Sequence, residues 1–248
     1  MSNRLYRSLQ AFVLLTIALF LAVKLISGKL DLYINLRFAP LTIFAIIVLA
    51  LMIYALVRRP KEEFHQGEHQ EHQHEHTHSI SFSPLIFLFI PILIGILIPA
   101  RPLDAAAAST RGVNVSAPIV SSASQTLAFE GAADQRNVLD WIRIFNSGDD
   151  VTTYLGETAN VIGFVYKDQR LAENQFLVSR FVITCCAADG FAIGMVVNWE
   201  QASTLNENTW VNVKGAVKPY QLDDQPVPLI EAESVEIVEE PPQPYLFP

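Results

Sequence analysis

Outside one short tract, the sequence contains no histidine. All six lie between His65 and His78, so the rest of the chain lacks the usual general base. Cysteine is almost missing as well. The two present, Cys185 and Cys186, are neighbours, which rules out a framework of spaced disulfides. Basic residues are scarce in the second half. From Asp104 onward there are 8 Lys and Arg against 19 Asp and Glu, a net of −11, while the first 103 residues carry 9 against 6, a net of +3. An acidic half of this kind is no partner for nucleic acid, whose phosphates are bound by Lys and Arg. There is no Gly-rich phosphate loop and no Gly-x-Ser-x-Gly elbow. A cysteine nucleophile would have no histidine beside it. Catalysis is not expected.

What the chain has instead is apolar length. Hydrophobic residues make up 51% of it, concentrated before residue 101. A membrane-spanning helix needs roughly 20 mostly apolar residues. Three runs approach this, at about 9–26, 38–57 and 82–99, within a membrane region covering 1–102. Lys24, near the end of the first run, can snorkel to the interface. Pro91 should kink the third helix. Arg4 and Arg7 followed by an apolar core resemble the start of a signal peptide, but no Ala-x-Ala site follows before the second run. A retained helix is expected.

Orientation follows from Lys and Arg in the short loops. Arg4 and Arg7 precede the first helix, and Arg58, Arg59 and Lys61 follow the second, against Lys29 and Arg37 between them. This places the N-terminus and the loop at 58–80 in the cytoplasm. The C-terminal domain then lies outside the plasma membrane.

That cytoplasmic loop holds His65, His69, His72, His74, His76 and His78, interleaved with Glu68, Glu71 and Glu75. Neutral imidazole suits zinc, copper and nickel, and a short His-rich tract reads as metal binding. Zinc is the leading candidate. Alternating histidines line one side of an extended chain, and His65, His69 and His72 share a face of a helix. Neither arrangement is a rigid four-ligand site, so exchange should be easy.

Residues 103–136, rich in Ala, Ser, Thr and Val, are expected to form an extended, mobile linker. The acidic domain then runs over 137–248. It opens with a short helix, because Val138, Leu139, Trp141, Ile142 and Phe145 recur at helical spacing. Five strands follow at 157–167, 176–186, 191–199, 210–218 and 229–238, separated by short polar turns. Gly163 and Gly215 sit inside strands, where a small barrel bends or bulges. The expected fold is a membrane α-helical half with three transmembrane helices, followed by a mainly β domain, an OB-like five-stranded barrel.

On a strand, adjacent residues point to opposite faces. Cys185 should therefore be separated from Cys186, one in the core and one outside, which argues against one metal taking both. The outward thiol could work with Asp189 in the next turn as a soft metal ligand or redox group. The bland reading is two small buried side chains at a strand end.

Three segments together carry a resemblance: Gly163-Phe164-Val165-Tyr166, Arg180-Phe181-Val182-Ile183-Thr184-Cys185-Cys186-Ala187-Ala188-Asp189, and Trp210-Val211-x-Val213-x-Gly215. The tail Pro241-Pro242-x-Pro244-Tyr245-Leu246 adds to it. With the apolar N-terminal runs and the His-bearing loop, they resemble the YcgQ-like family of bacterial membrane proteins, described as candidate permease subunits. The resemblance implies a companion, a multispan permease in the same bilayer, and marks Cys185, Cys186 and Asp189 as residues of interest. The first expectation is thus an accessory subunit of a permease linked to divalent metal through the His loop. The others are a membrane-anchored binding or assembly module, and a thiol-based metal-delivery or redox protein using the Cys pair.

Overall fold

The computed structural model describes residues 3–58, 83–115, 132–146 and 151–248. The chain forms two units. One comprises Met1–Asp31 with Leu36–Ala100, the other Leu32–Asn35 with Arg101–Pro248.

The first unit is helical: α1 (Asn3–Ile26), α2 (Ala39–Arg58) and α3 (Ser83–Leu97), with α1 packing on both others. Among the described residues, two helices are long and apolar enough to cross a membrane, Leu5–Ile26 and Leu36–Arg58. Their surfaces are apolar where a water-soluble helix would be charged: Leu15, Leu19, Leu41, Phe44 and Leu51 are all exposed. The third apolar run forms only the 15-residue α3, with Pro91 inside it. That is shorter than the roughly 20 residues of a full span.

The second unit is a mainly β domain, and it begins earlier than the composition suggests. Part of the expected linker is ordered. Residues Ala105–Arg111 form α4, and Val113–Asn114 form β1. An Ala run has the highest helix propensity, and the Asp104 side chain caps its start by accepting the N–H groups of Ala106 and Ala107. Ala105 and Ala108 are buried against Phe164, Phe181 and Tyr245.

Helix α5 (Val138–Asn146) is capped reciprocally: Asn137 Oδ1 accepts the N–H of Leu139 and Asp140, and Asp140 Oδ2 accepts the N–H of Asn137. Its apolar face, with Trp141 fully buried, closes the main core. The Arg136 guanidinium pairs with Glu157 and lies over the rings of Trp141 and Tyr154, fixing the helix to the sheet.

The strands are β2 (Thr158–Tyr166), β3 (Gln175–Val182), β4 (Phe191–Asn198), β5 (Trp210–Leu222), β6 (Gln225–Ile237) and β7 (Tyr245–Leu246). Pairing runs β2–β3, β3–β4, β4–β6, β6–β5 and β5–β2, so the cycle returns to its starting strand. All these pairs are antiparallel except β4–β6. The register shifts between Lys214 and Gly215, which face Ser234 and Ala232, so Glu233 is the extra residue and β6 bulges there. A Cβ on Gly215 would lie 2.1 Å from the Glu231 carbonyl. Gly163 instead lets β3 approach closely, since its Cβ would meet the Ser179 carbonyl at 2.6 Å.

Strand β3 ends at Val182, four residues short of the expected Cys186. Buried Arg180 is the reason the C-terminal tail stays on it. Its guanidinium donates to the carbonyls of Ile162, Gln243 and Pro244 and lies over Trp210. The tail then adds β7 parallel to β3, through Phe181–Tyr245 and Val182–Leu246.

Candidate functional site

Beyond Val182 the chain leaves the ladder and folds into a tight turn, Ile183 to Gly190. The Asp189 carboxylate organises it. One oxygen accepts the N–H groups of Thr184 and Cys186, at 3.2 and 3.3 Å, and the other accepts that of Cys185 at 2.8 Å. Residues Ala187–Asp189 form a single turn of 3₁₀ helix behind them.

This turn overturns the expectation that the two cysteines part to opposite faces. Alternation holds only while the strand persists, and here it has ended. Cys185 Sγ and Cys186 Sγ are 3.6 Å apart. Cys185 is exposed and Cys186 half-buried, so neither lies in the core. Both sulfurs and a carboxylate oxygen of Asp189 lie within 4.8 Å of one another.

Two parts of the chain that sequence reasoning did not connect to the turn hold it in place. The first is Tyr33–Asn35. Ile34 forms an antiparallel bridge with Cys186. Asn35 donates its N–H to the Cys185 carbonyl at 3.0 Å and its side-chain amide to the Thr184 carbonyl at 3.1 Å. Ala187 N–H donates to the Tyr33 carbonyl at 2.8 Å. The second is Arg111, at the end of α4, which donates to the carbonyls of Ala187 and Gly190. Tyr245 adds a tie nearby: its hydroxyl accepts the Leu103 N–H and donates to the Leu32 carbonyl. No local pattern announces partners this far apart in sequence.

The electrostatics separate the two thiols. Hydrogen bonding to the Asp189 carboxylate, then to Cys186, pushes Cys185 up to about 11. Cys186 moves the other way. The Ala188 N–H, the Cys185 thiol and the Asp189 N–H all point to its sulfur and favour the thiolate. For Asp189, partial burial opposes ionisation, but the N–H and thiol of Cys185 and the N–H groups of Cys186 and Thr184 outweigh it. Its carboxyl is held below the ordinary range. The turn therefore favours one thiolate, one thiol that donates to it, and one carboxylate. Such a set can ligate a cation or act as a nucleophile.

The histidine tract, with His65, His69, His72, His74, His76 and His78, lies outside the described residues.

Two domains of one family match this sequence: the DUF1980 N-terminal domain over residues 9–114 and the DUF1980 C-terminal domain over residues 133–248. "UPF0703 protein YcgQ" of Bacillus subtilis is 25% identical over 89% of this chain and 92% of that protein. A protein of Streptococcus mutans serotype c, named "Putative two-component membrane permease complex subunit", is 28% identical over 90% of this chain and 92% of its own. No solved structure matches. The chain belongs to the YcgQ-like, DUF1980 family, with the N-terminal and C-terminal domains of that family in sequence order.

Proposed function

We propose that the chain is an accessory subunit of a membrane permease, working with a multispan partner that supplies the pore. The observation that carries this reading is the Streptococcus mutans relative, whose name is that of a permease complex subunit and whose similarity runs through both halves of the chain. The exposed leucines and phenylalanines of α1 and α2 support it, since they suit lipid or the helices of a partner. Few polar groups lie within these helices, which makes them a poor conduit alone.

The finer reading has three crossings, with the N-terminus and the histidine tract in the cytoplasm. Leu32–Asn35, between α1 and α2, is bonded into the β unit through Cys185, Cys186 and Ala187. A chain that leaves that side of the bilayer through α2 has to return before Arg101, and α3 is the described helix available for the return. Its shortness is accommodated by local thinning of the bilayer. The β unit, outside the cell, is read as an OB-like barrel from its closed cycle of five pairings. The six histidines gather a zinc-class cation on the inner side. No catalytic step is assigned, because the described residues contain no histidine to act as a base.

The test is affinity purification of the full chain from its own membranes. A multispan protein should co-purify, and should be lost when α1 to α3 are replaced by unrelated spanning helices. Its retention by the helix-swapped chain would sink the reading. A membrane-impermeant maleimide checks the topology: a cysteine introduced into the histidine tract should react only after the cells are opened.

A further inference from the structure

We propose that Cys185 Sγ, Cys186 Sγ and a carboxylate oxygen of Asp189 together form an exchangeable binding site for a zinc-class divalent cation. The site lies in the β unit. It goes beyond the permease-subunit reading and uses none of the histidines.

Distances come first. With Zn–S bonds of about 2.3 Å, two sulfurs on a tetrahedral centre lie about 3.8 Å apart. The two here are 3.6 Å apart. A linear copper(I) site would instead set them on opposite sides of the metal, well over 4 Å apart. A hard carboxylate donor also suits zinc better than copper(I).

Preorganisation comes second. The backbone around the sulfurs is fixed from three directions: by Asp189 through three amide hydrogen bonds, by Tyr33–Asn35, and by Arg111. Partners of this kind hold ligand rotamers and tune affinity. They also explain an otherwise odd placement. Cysteine is among the most buried residue types, yet neither member of the pair is buried.

The exchange of charge balances. The Cys185 thiol donates to the Cys186 sulfur. A divalent cation takes the place of the Cys185 thiol proton, and of any proton still on Cys186, and these leave to solvent. Two thiolates and one carboxylate then carry three negative charges against the two of the cation. Three protein ligands leave the fourth position open on the exposed side. Open sites of this type exchange ligands, whereas structural sites are closed by four. A site that takes up an ion and can give it up is therefore expected, rather than a clamp that holds the domain together.

The experiment uses the full chain in detergent, with all six histidines changed to Gln, stripped of metal and reduced with a phosphine. Cobalt(II) is the probe and zinc the competitor. One equivalent of cobalt should bind with a thiolate-to-metal charge-transfer band, and zinc should abolish the band. Cys185→Ser and Cys186→Ser should each remove it. Asp189→Asn should weaken binding by about 10–100-fold, with thermal unfolding recorded to separate loss of a ligand from loss of the turn. A pH indicator should report protons released on binding in the parent but not in the double serine variant. The proposal is overturned if the band survives in the double variant, or if the folded six-Gln chain takes up no cobalt. It is also overturned if the pair remains a disulfide after phosphine treatment, two hydrogens lighter by mass.

Discussion

The carboxylate of Asp189 accepts the backbone N–H of Cys185 at 2.8 Å, four residues back along the chain. With the N–H groups of Thr184 and Cys186 it fixes the turn that carries both thiols. These bonds need the ionised carboxyl, whose pKa is lowered in the folded chain. A carboxyl of that kind stabilises the fold above its unfolded pKa, and the contribution is lost as pH falls through the folded value. Hydrogen exchange at residues 184–186 should therefore lose protection in acid, at a pH below the ordinary carboxylate range. Asp189→Asn should flatten that dependence. Unchanged acid sensitivity in the variant would mean another group holds the turn.

The thiol pair should alkylate in order. Cys186 is the favoured thiolate and Cys185 the favoured thiol, pushed up to about 11. Iodoacetamide on the metal-free chain, at neutral to mildly alkaline pH, should label Cys186 first by peptide mass mapping. Because the two sites are coupled, the pH profile belongs to the pair. Cys185→Ala removes one donor to the Cys186 sulfur and should shift its labelling to higher pH. Equal labelling of both thiols throughout would contradict the geometry.

Arg180 should be costly to replace. Burial pulls its pKa down to about 10, still far above neutrality, so it is a buried cation solvated by three carbonyls and an indole face. Arg180→Met leaves those carbonyls without donors, at a cost of about 1–3 kcal/mol in unfolding free energy. The residues after Gln243 should become protease-sensitive. Arg180→Lys should rescue little, since an ammonium lacks the planar fork.

Two further changes, one at a buried glycine and one at a surface arginine, set the scale for stability. Gly215→Ala places a methyl 2.1 Å from the Glu231 carbonyl and 2.8 Å from the Ala232 Cα, so about 3 kcal/mol is expected, the upper end for overpacking. Arg170→Ala breaks ion pairs with Asp168 and Asp223. Arg170 and Asp223 are exposed and Asp168 is half-buried, so the loss should be about 1 kcal/mol and shrink with salt. Urea midpoints of the two variants test the contrast.

Five of the strands were legible because the turns between them are short and polar. The Asp223-Asp224 hairpin is the clearest case, since both residues adopt positive φ, at 52° and 62°. The lengths of β5 and β6 were not legible. The expected strands stop at 218 and resume at 229, whereas the ladder runs on to Leu222 and Gln225, with Pro219 opposite Pro228 within the hairpin. The alanines of α4 read as linker because alanine in a Ser/Thr-rich context is ambiguous until Asp104 caps it. The cysteine turn was misplaced for a physical reason. Local pattern cannot show where a carboxylate three residues on will pull the backbone out of the sheet. Its partners Tyr33–Asn35 and Arg111 lie so far away in sequence that only the fold brings them there.

The two shortest strands have a consequence for how the protein behaves among its own copies. Around the cycle, β4 is paired with β6 only over Val196–Asn198, and β1 takes the earlier stretch at Ala192 and Ile193. Likewise β3 pairs with β2 only over Leu177–Ser179, and β7 takes over at Phe181 and Val182. Each two-residue strand fills the place where ring neighbours diverge. An open ladder there would be a template for a second molecule. Trimming the last four residues, or loosening the segment after α4, should thus turn a self-contained β unit into one that recruits its own kind through backbone pairing.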